Sequence, residues 1–333
     1  MSRKISRSLI NGRIGVGTGG QGLKVEWDGT NDGELHWKDV SESSLEAVTW
    51  SITRGVWGGG DTGSVTNVMS YITIATTSNA TDFGDLLAVM QLIEGTAGTT
   101  RGLFAGGHDG SNSNVIQYIT IATTSNATDF GNLTVARNNA CAVASETRAA
   151  FGGGATNNTI DYVTIDTTSN ATDFGDLTAG RRNHTGCSNN TRGLFAGGLS
   201  QNIIDYITIA TTSNAIDFGN LTVARRYLAS CTDATRAVFA GGKSSDTVDV
   251  NIIEYVTIDT TSNATDFGDL AVVKRSNSGL SDATRGVFSG GYRVETTARN
   301  NVMEYITIQT TSNTTDFGDL TAATLNHGGL SGG

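Results

Sequence analysis

Arg192-Gly193-Leu194-Phe195-Ala196-Gly197-Gly198, then Ile204-Asp205-Tyr206-Ile207-Thr208-Ile209, then Ser213-Asn214-Ala215-Ile216-Asp217-Phe218-Gly219: this stretch decides the fold. Three short segments rich in aromatic and β-branched residues, separated by Gly, Ser and Asn, read as successive β-strands joined by tight turns. Gly197-Gly198 ends the first strand with a turn that needs positive φ. The Ile204–Ile209 segment is apolar or β-branched on both faces, so both faces must be covered. The small residues ahead of Arg192 supply one more strand, which makes a four-stranded unit.

Working outward, the same unit recurs. Six copies fill residues 53 to 320, each opening with an Arg and an aromatic three positions later: Arg54/Trp57, Arg101/Phe104, Arg148/Phe151, Arg192/Phe195, Arg236/Phe239 and Arg285/Phe288. A Gly-Gly pair follows, then an apolar run around Tyr71, Tyr118, Tyr162, Tyr206, Tyr255 or Tyr305. Each copy closes on Asp-Phe-Gly, with Phe83, Phe130, Phe174, Phe218, Phe267 or Phe317. A fixed period of this length marks a repeat architecture. From Tyr to the closing Phe is 12 residues in all six copies, and from that Phe to the next Arg is 18 in all five countable cases. Only the step from the first aromatic to the Tyr varies, through 14, 14, 11, 11, 16 and 17. Every length difference therefore falls in the loop after Gly-Gly. No 3.6-residue apolar period occurs, so helix is not expected.

The register also predicts how the first copy is completed. The sixth residue before each Arg is small (Gly95, Ala142, Gly186, Ser230, Gly279), whereas Val48 stands there ahead of Arg54. At the other end, Gly329-Leu330-Ser331 repeats Gly279-Leu280-Ser281, and Phe317 plus 18 would place an Arg at 335. Residues 321 to 333 are thus expected to insert as the innermost strand of the first copy.

An Arg at the start of the unit, Gly-Gly after the second strand and Tyr in the third resemble the kelch repeat, apart from Phe where kelch units carry a Trp on the last strand. The resemblance covers about 280 of the 333 residues. It implies an all-β, six-bladed kelch-like β-propeller with four antiparallel strands per blade. The expected organisation is a basic Gly-rich arm at 1–22, a β-hairpin and linker at 23–52, and the propeller at 53–333. More narrowly, the Tyr-Ile-Thr-Ile…Thr-Ser-Asn-Ala-Thr-Asp-Phe-Gly units are similar to those in structural proteins of tailed bacteriophages, cyanophages in particular. That implies a virion component present in multiple copies, with other virion proteins and a host surface ligand as partners.

Composition fits such a chain. Proline is absent where average usage predicts roughly 17, and 43 glycines serve the reversals. The net charge of −10 argues against a nucleic-acid surface. No stretch approaches the ~18 apolar residues of a membrane span, and no apolar h-region follows the N-terminal charges. Those charges, Arg3, Lys4, Arg7 and Arg13, stand without an acid among the first thirteen residues and are expected to dock on an acidic partner surface. Cys141, Cys187 and Cys231 are too few, odd in number and too scattered for a disulfide framework.

Catalysis and metal binding find little support. The Asp of Asp-Phe-Gly (Asp82, Asp129, Asp173, Asp217, Asp266, Asp316) and the repeat Arg occur in every copy, whereas a catalytic site needs an asymmetric constellation. They are assigned to the scaffold. Copper-radical oxidases share the kelch-like fold, but Cys187 and Cys231 occupy an apolar slot held elsewhere by Val143 and Leu280. His184 and His327 take equivalent positions three copies apart and read as polar residues at a channel mouth. Gly15–Gly20 matches a dinucleotide string with no helix to follow it. Asp28 to Asp39 imitates a calcium loop but is flanked by the alternation of a hairpin. The Asn-x-Thr sequons at Asn79, Asn126, Asn170, Asn263 and Asn313 read as turn and strand residues. No cofactor is expected.

The favoured expectation is a non-enzymatic phage structural or recognition protein, with a free-standing lectin-like or protein-binding propeller as the alternative and the oxidase third. Loop variation on a fixed scaffold is where recognition arises. The longest such loops lie in copies five and six, so the expected ligand contacts are Lys243, Asp246, Asp249, Arg293, Glu295 and Arg299.

Overall fold

A computed structural model describes residues 54–199, 201–244 and 248–332, together with the backbone of Leu23–Glu26 and His36–Asp39. The chain divides into two units, Met1–Trp50 and Ser51–Gly333. In the first, Leu23–Glu26 and His36–Asp39 pair antiparallel with Val25 opposite Trp37.

The second unit is all-β, a propeller-like repeat with no helix among its described residues. It consists of repeated four-stranded antiparallel sheets, six of them, each in simple up-and-down order. Sheet 4 is representative, with Thr185–Ser188, Arg192–Ala196, Ile203–Thr208 and Ile216–Asn220 from first to fourth strand. Sheets 2, 3, 5 and 6 begin at Glu94–Ala97, Cys141–Ala144, Ala229–Thr232 and Ser278–Ser281. Sheet 1 draws its first strand from the far end of the sequence. Gly328–Gly332 pairs antiparallel with Arg54–Gly58, Leu330 opposite Val56, in the register that sets Leu280 opposite Val287 in sheet 6. A small three-stranded sheet of Lys274–Arg275, Tyr292–Arg293 and Ala298–Arg299 is added by the long sheet 6 loop.

The repeated residues explain themselves as joints between neighbouring sheets. Each repeat Arg lies over the Tyr of its own sheet, 4.1–4.8 Å from the ring centroid, a cation–π contact. Its Nη1 then donates to a backbone carbonyl of the next sheet at 2.9–3.2 Å. Arg54 reaches Ile121, Arg101 Ile165, Arg148 Ile209, Arg192 Ile258 and Arg236 Ile308, and Arg285 returns to Ala75 of sheet 1. Each Tyr meets the Asp-Phe-Gly Phe edge to face, with centroids 5.8–6.1 Å apart, the favoured aromatic geometry.

The outer edge repeats the device. Asn79, Asn126, Asn170, Asn214, Asn263 and Asn313 each accept, through Oδ1, a backbone N–H of the preceding sheet's fourth strand at 3.0 Å. Five of these are the sequon asparagines. The Asp-Phe-Gly glycine needs its residue type here. At Gly175, φ is +142° and a Cβ would come within 2.5 Å of the Ser213 carbonyl oxygen of the next sheet. The six Asp-Phe-Gly aspartates are exposed on the fourth strands.

A second set of joints varies from copy to copy. In sheets 3 to 6 a buried cation in the link ahead of the sheet pairs with a buried acid of its third strand: Arg137–Asp161, Arg181–Asp205, Arg225–Glu254 and Lys274–Glu304. The same two places hold Met90 and Gln117 in sheet 2, and Thr324 and Ser70 in sheet 1. Charged residues accompany charged ones and neutral accompany neutral, because a lone charge buried there would have no counter-ion.

Candidate functional site

The six first strands are introduced by Leu92, Asn139, Asn183, Tyr227, Ser276 and Asn326, each two residues ahead of its strand and each with φ between 52° and 60°. The left-handed turn aims their backbones at one another. Leu92 N–H donates to the Asn326 carbonyl, Asn139 to Leu92, Asn183 to Asn139, Tyr227 to Asn183, Ser276 to Tyr227 and Asn326 to Ser276, at 2.8–3.2 Å. These six hydrogen bonds form a complete cycle, which we call the hub. The second Gly of every Gly-Gly pair donates to the link just ahead of the next sheet, from Gly60 to Met90 through to Gly291 to Thr324. Links and long loops therefore lie together around the hub.

Over the hub lies a depression of about 350 Å³. It is lined by five hub residues, Leu92, Asn139, Tyr227, Ser276 and Asn326, and by Leu325, Arg226, Lys243, Arg275 and Tyr292. All three of its charged residues are cations. Arg275 lies over Tyr292 at 4.6 Å, and Arg226 is 5.6 Å from the Tyr227 ring centroid. A narrower space of about 70 Å³ adjoins it and reaches Glu94, Asn183, His184, Asn277 and His327. Burial pushes the Glu94 carboxyl up to about 8. It likewise depresses His327 to about 3 and His184 well below its ordinary value.

The loop residues expected to meet a ligand are divided by the structure. Lys243 lines the depression, and Arg293 and Glu295 lie in the adjoining loop, where Glu295 is exposed. Asp249 faces inward. Its carboxylate is buried and holds Arg275 Nη1 at 2.6 Å. Arg299 grips Asp61 of sheet 1 with both oxygens at 2.9 Å. Both are joints of the face, because the loops fold back on the links. Asp246, and the arm residues Arg3, Lys4, Arg7 and Arg13, lie outside the described residues.

His184 and His327 are buried one residue below the hub rather than displayed at a mouth. The His184 ring packs against Gly153 and tilts onto Phe195 at 6.5 Å, while His327 Nε2 shares a 2.9 Å hydrogen bond with Ser289 Oγ. The three cysteines are free and buried, with burial pushing Cys187 up to about 12. Among the described residues no three His, Cys, Asp or Glu side chains gather as metal ligands.

No family model matches the chain, and no curated protein matches it.

The sequence reading missed Arg226, Arg275, Tyr227 and Tyr292. The available signal was positional. Tyr227 and Tyr292 are the two tyrosines outside the repeat, and Arg226 and Arg275 each sit next to a hub residue.

Proposed function

We propose that the repeat unit is a six-bladed kelch-like β-propeller that acts by binding, without catalysis, through the hub face. The six-blade reading is supported by three cycles that each return from sheet 6 to sheet 1: the hub, the repeat Arg and the outer-edge Asn. The observation that carries the binding reading is the concentration of asymmetry on one face. The repeat Arg, the Tyr–Phe contact and the outer-edge Asn recur sixfold, whereas loop length, non-repeating polar side chains and a depression of ligand size coincide at the hub.

We propose further that this propeller serves as a recognition or structural component of a tailed phage particle, docked through Arg3, Lys4, Arg7 and Arg13. The likeness of the repeat units to those of phage structural proteins supports this. Ion pairs made by these four cations at a solvent-exposed contact would contribute at most about 1 kcal/mol each, and salt would weaken them.

The binding reading is tested by identifying, by mass spectrometry, what the full-length chain co-purifies with, then replacing residues 243–251 and 292–301 by the short Leu199–Asn202 loop. Loss of the captured partner by a variant that still unfolds cooperatively supports the hub face. Capture that survives the exchange refutes it. Removal of residues 1–22 tests docking separately: a particle component stops sedimenting with particles, whereas a free-standing binder keeps its ligand.

A further inference from the structure

The distribution of cations over the fold is uneven in a way the repeat does not require. Of the 22 Lys and Arg residues, six precede residue 39, six lie over repeat tyrosines and four sit in the buried pairs. The remaining six, Arg182, Arg226, Lys243, Arg275, Arg293 and Arg299, all fall in the links and long loops around the hub. Arg299 is committed to Asp61. Three of the others hold one equivalent place in consecutive sheets, Arg182, Arg226 and Arg275, where sheets 1 to 3 have Leu325, Gln91 and Asn138. They form a cationic crescent over sheets 4 to 6, in which Arg275 is already paired with Asp249. Lys243 stands inside it, its backbone bridged to Arg226 at 2.8 and 3.0 Å, and makes no ion pair among the described residues. The acids of the same loops, Asp246, Asp249 and Glu295, are outnumbered by these five cations in a chain whose net charge is −10.

The rest of the depression is equally specific. The N–H groups of the hub residues that line it are engaged in the hub cycle, so a ligand there meets side chains first. Tyr227, Ser276, Tyr292 and Asn326, which carry three hydroxyls and an amide, are among the residues that line it. Hydroxyls that both donate and accept, an amide, and a cation beside aromatic rings suit a ligand rich in hydroxyls and carrying one oxyanion. A space of about 350 Å³ lies at the lower end of small-molecule sites. Resting on the reading of the hub face as the binding face, we infer that the depression takes an acidic saccharide residue, with its carboxylate or sulfate toward Lys243 and its hydroxyls toward Ser276, Asn326 and Tyr292.

The test uses the full chain and nuclear magnetic resonance titration with three probes: D-glucuronate, D-glucose and sodium sulfate. Glucuronate should bind roughly tenfold more tightly than glucose and weaken with added salt. Lys243→Gln should bring glucuronate affinity down to about that of glucose, and Tyr292→Phe should weaken both sugars, with melting temperatures of both variants near that of the parent. Equal binding of glucose and glucuronate overturns the anionic part of the proposal. Sulfate that matches glucuronate, with Tyr292→Phe silent, overturns the saccharide part. Absence of binding by any sugar overturns the ligand class altogether. The loop exchange on the co-purified partner reads the hub-face assignment independently, so either can fail alone.

Discussion

Arg181 and Asp205 offer a perturbation whose remedy is already written in the same chain. Both side chains are fully buried; Arg181 Nη2 lies 2.8 Å from Asp205 Oδ2 and also donates to the Phe195 carbonyl. Asp205 additionally accepts from the Thr178 hydroxyl and N–H. Replacing Arg181 by Met leaves a buried carboxylate with neutral donors only, and breaking a buried pair on one side costs about 3–5 kcal/mol. Asp205→Gln alone strands the guanidinium at similar cost. The double variant Arg181→Met/Asp205→Gln recreates what sheet 2 has natively, where Met90 sits in the link and Gln117 Oε1 accepts the Leu87 N–H at 2.8 Å. Neutral replacement of a buried pair is often free of cost, so the double variant should fall within ~1–2 kcal/mol of the parent. At roughly 2 °C per kcal/mol for a unit of this size, each single variant should melt about 6–10 °C lower and the double about 2–4 °C lower. Differential scanning calorimetry of the four proteins reads the cycle. Singles that simply add in the double would refute the claim that the two positions are chosen as a pair.

Deleting residues 328–333 should expose the edge of Arg54–Gly58 and unseat Leu330, so light scattering should show aggregation; Leu330→Ala should be milder, at about 2–5 kcal/mol. Glu94 has its carboxyl raised to about 8 in the fold by burial, against an ordinary 4.5, so the fold favours its protonated form. Its contribution is full below about pH 4.5 and is lost as pH rises through 8. Glu94→Gln should therefore leave the melting temperature unchanged at low pH and raise it above pH 8, by ~1 kcal/mol or more; an equal shift at both ends would contradict the assignment. The thiols of Cys141, Cys187 and Cys231 are buried and pushed above their ordinary range. A thiol reagent should label none of them in native protein and all three in denaturant, and rapid native labelling would show that the sheets open.

Why the scaffold was legible while the site was less so follows from what repeats. Tyr206, Phe218 and Arg192 recur at fixed spacing because each performs the same joint in every sheet, so alignment of the chain with itself finds them. The same arithmetic placed Gly329-Leu330-Ser331 against Arg54–Gly58, since strand register is set by a period of two that tolerates no slip. The buried pairs escaped notice because they vary: Asp205, Glu254 and Gln117 share a position and not a residue type, and their signal is the matching change at Arg181, Arg225 and Met90. Loop length located the face but not the direction of its side chains. Asp249 and Arg299 turn inward to Arg275 and Asp61, a consequence of how the loops fold back on the links, which no one-dimensional spacing encodes. His184 and His327 were placed in the right copies and at the wrong depth, for the same reason.

The first strand of sheet 1 has a further consequence at high protein concentration. Because Gly328–Gly332 is borrowed from the far end of the sequence and carries the same Gly-Leu-Ser as Ser278–Ser281, the vacancy it fills is one that any copy of the chain can fill. A molecule whose end peels away presents both an open socket and a matching plug. Two such molecules satisfy each other with the pairs Leu330–Val56 and Ser331–Gly55 unchanged, at no cost in contacts. Strand exchange of this kind would keep the same pairs, so exchanged dimers are expected to grow with protein concentration, which size-exclusion chromatography over a dilution series checks.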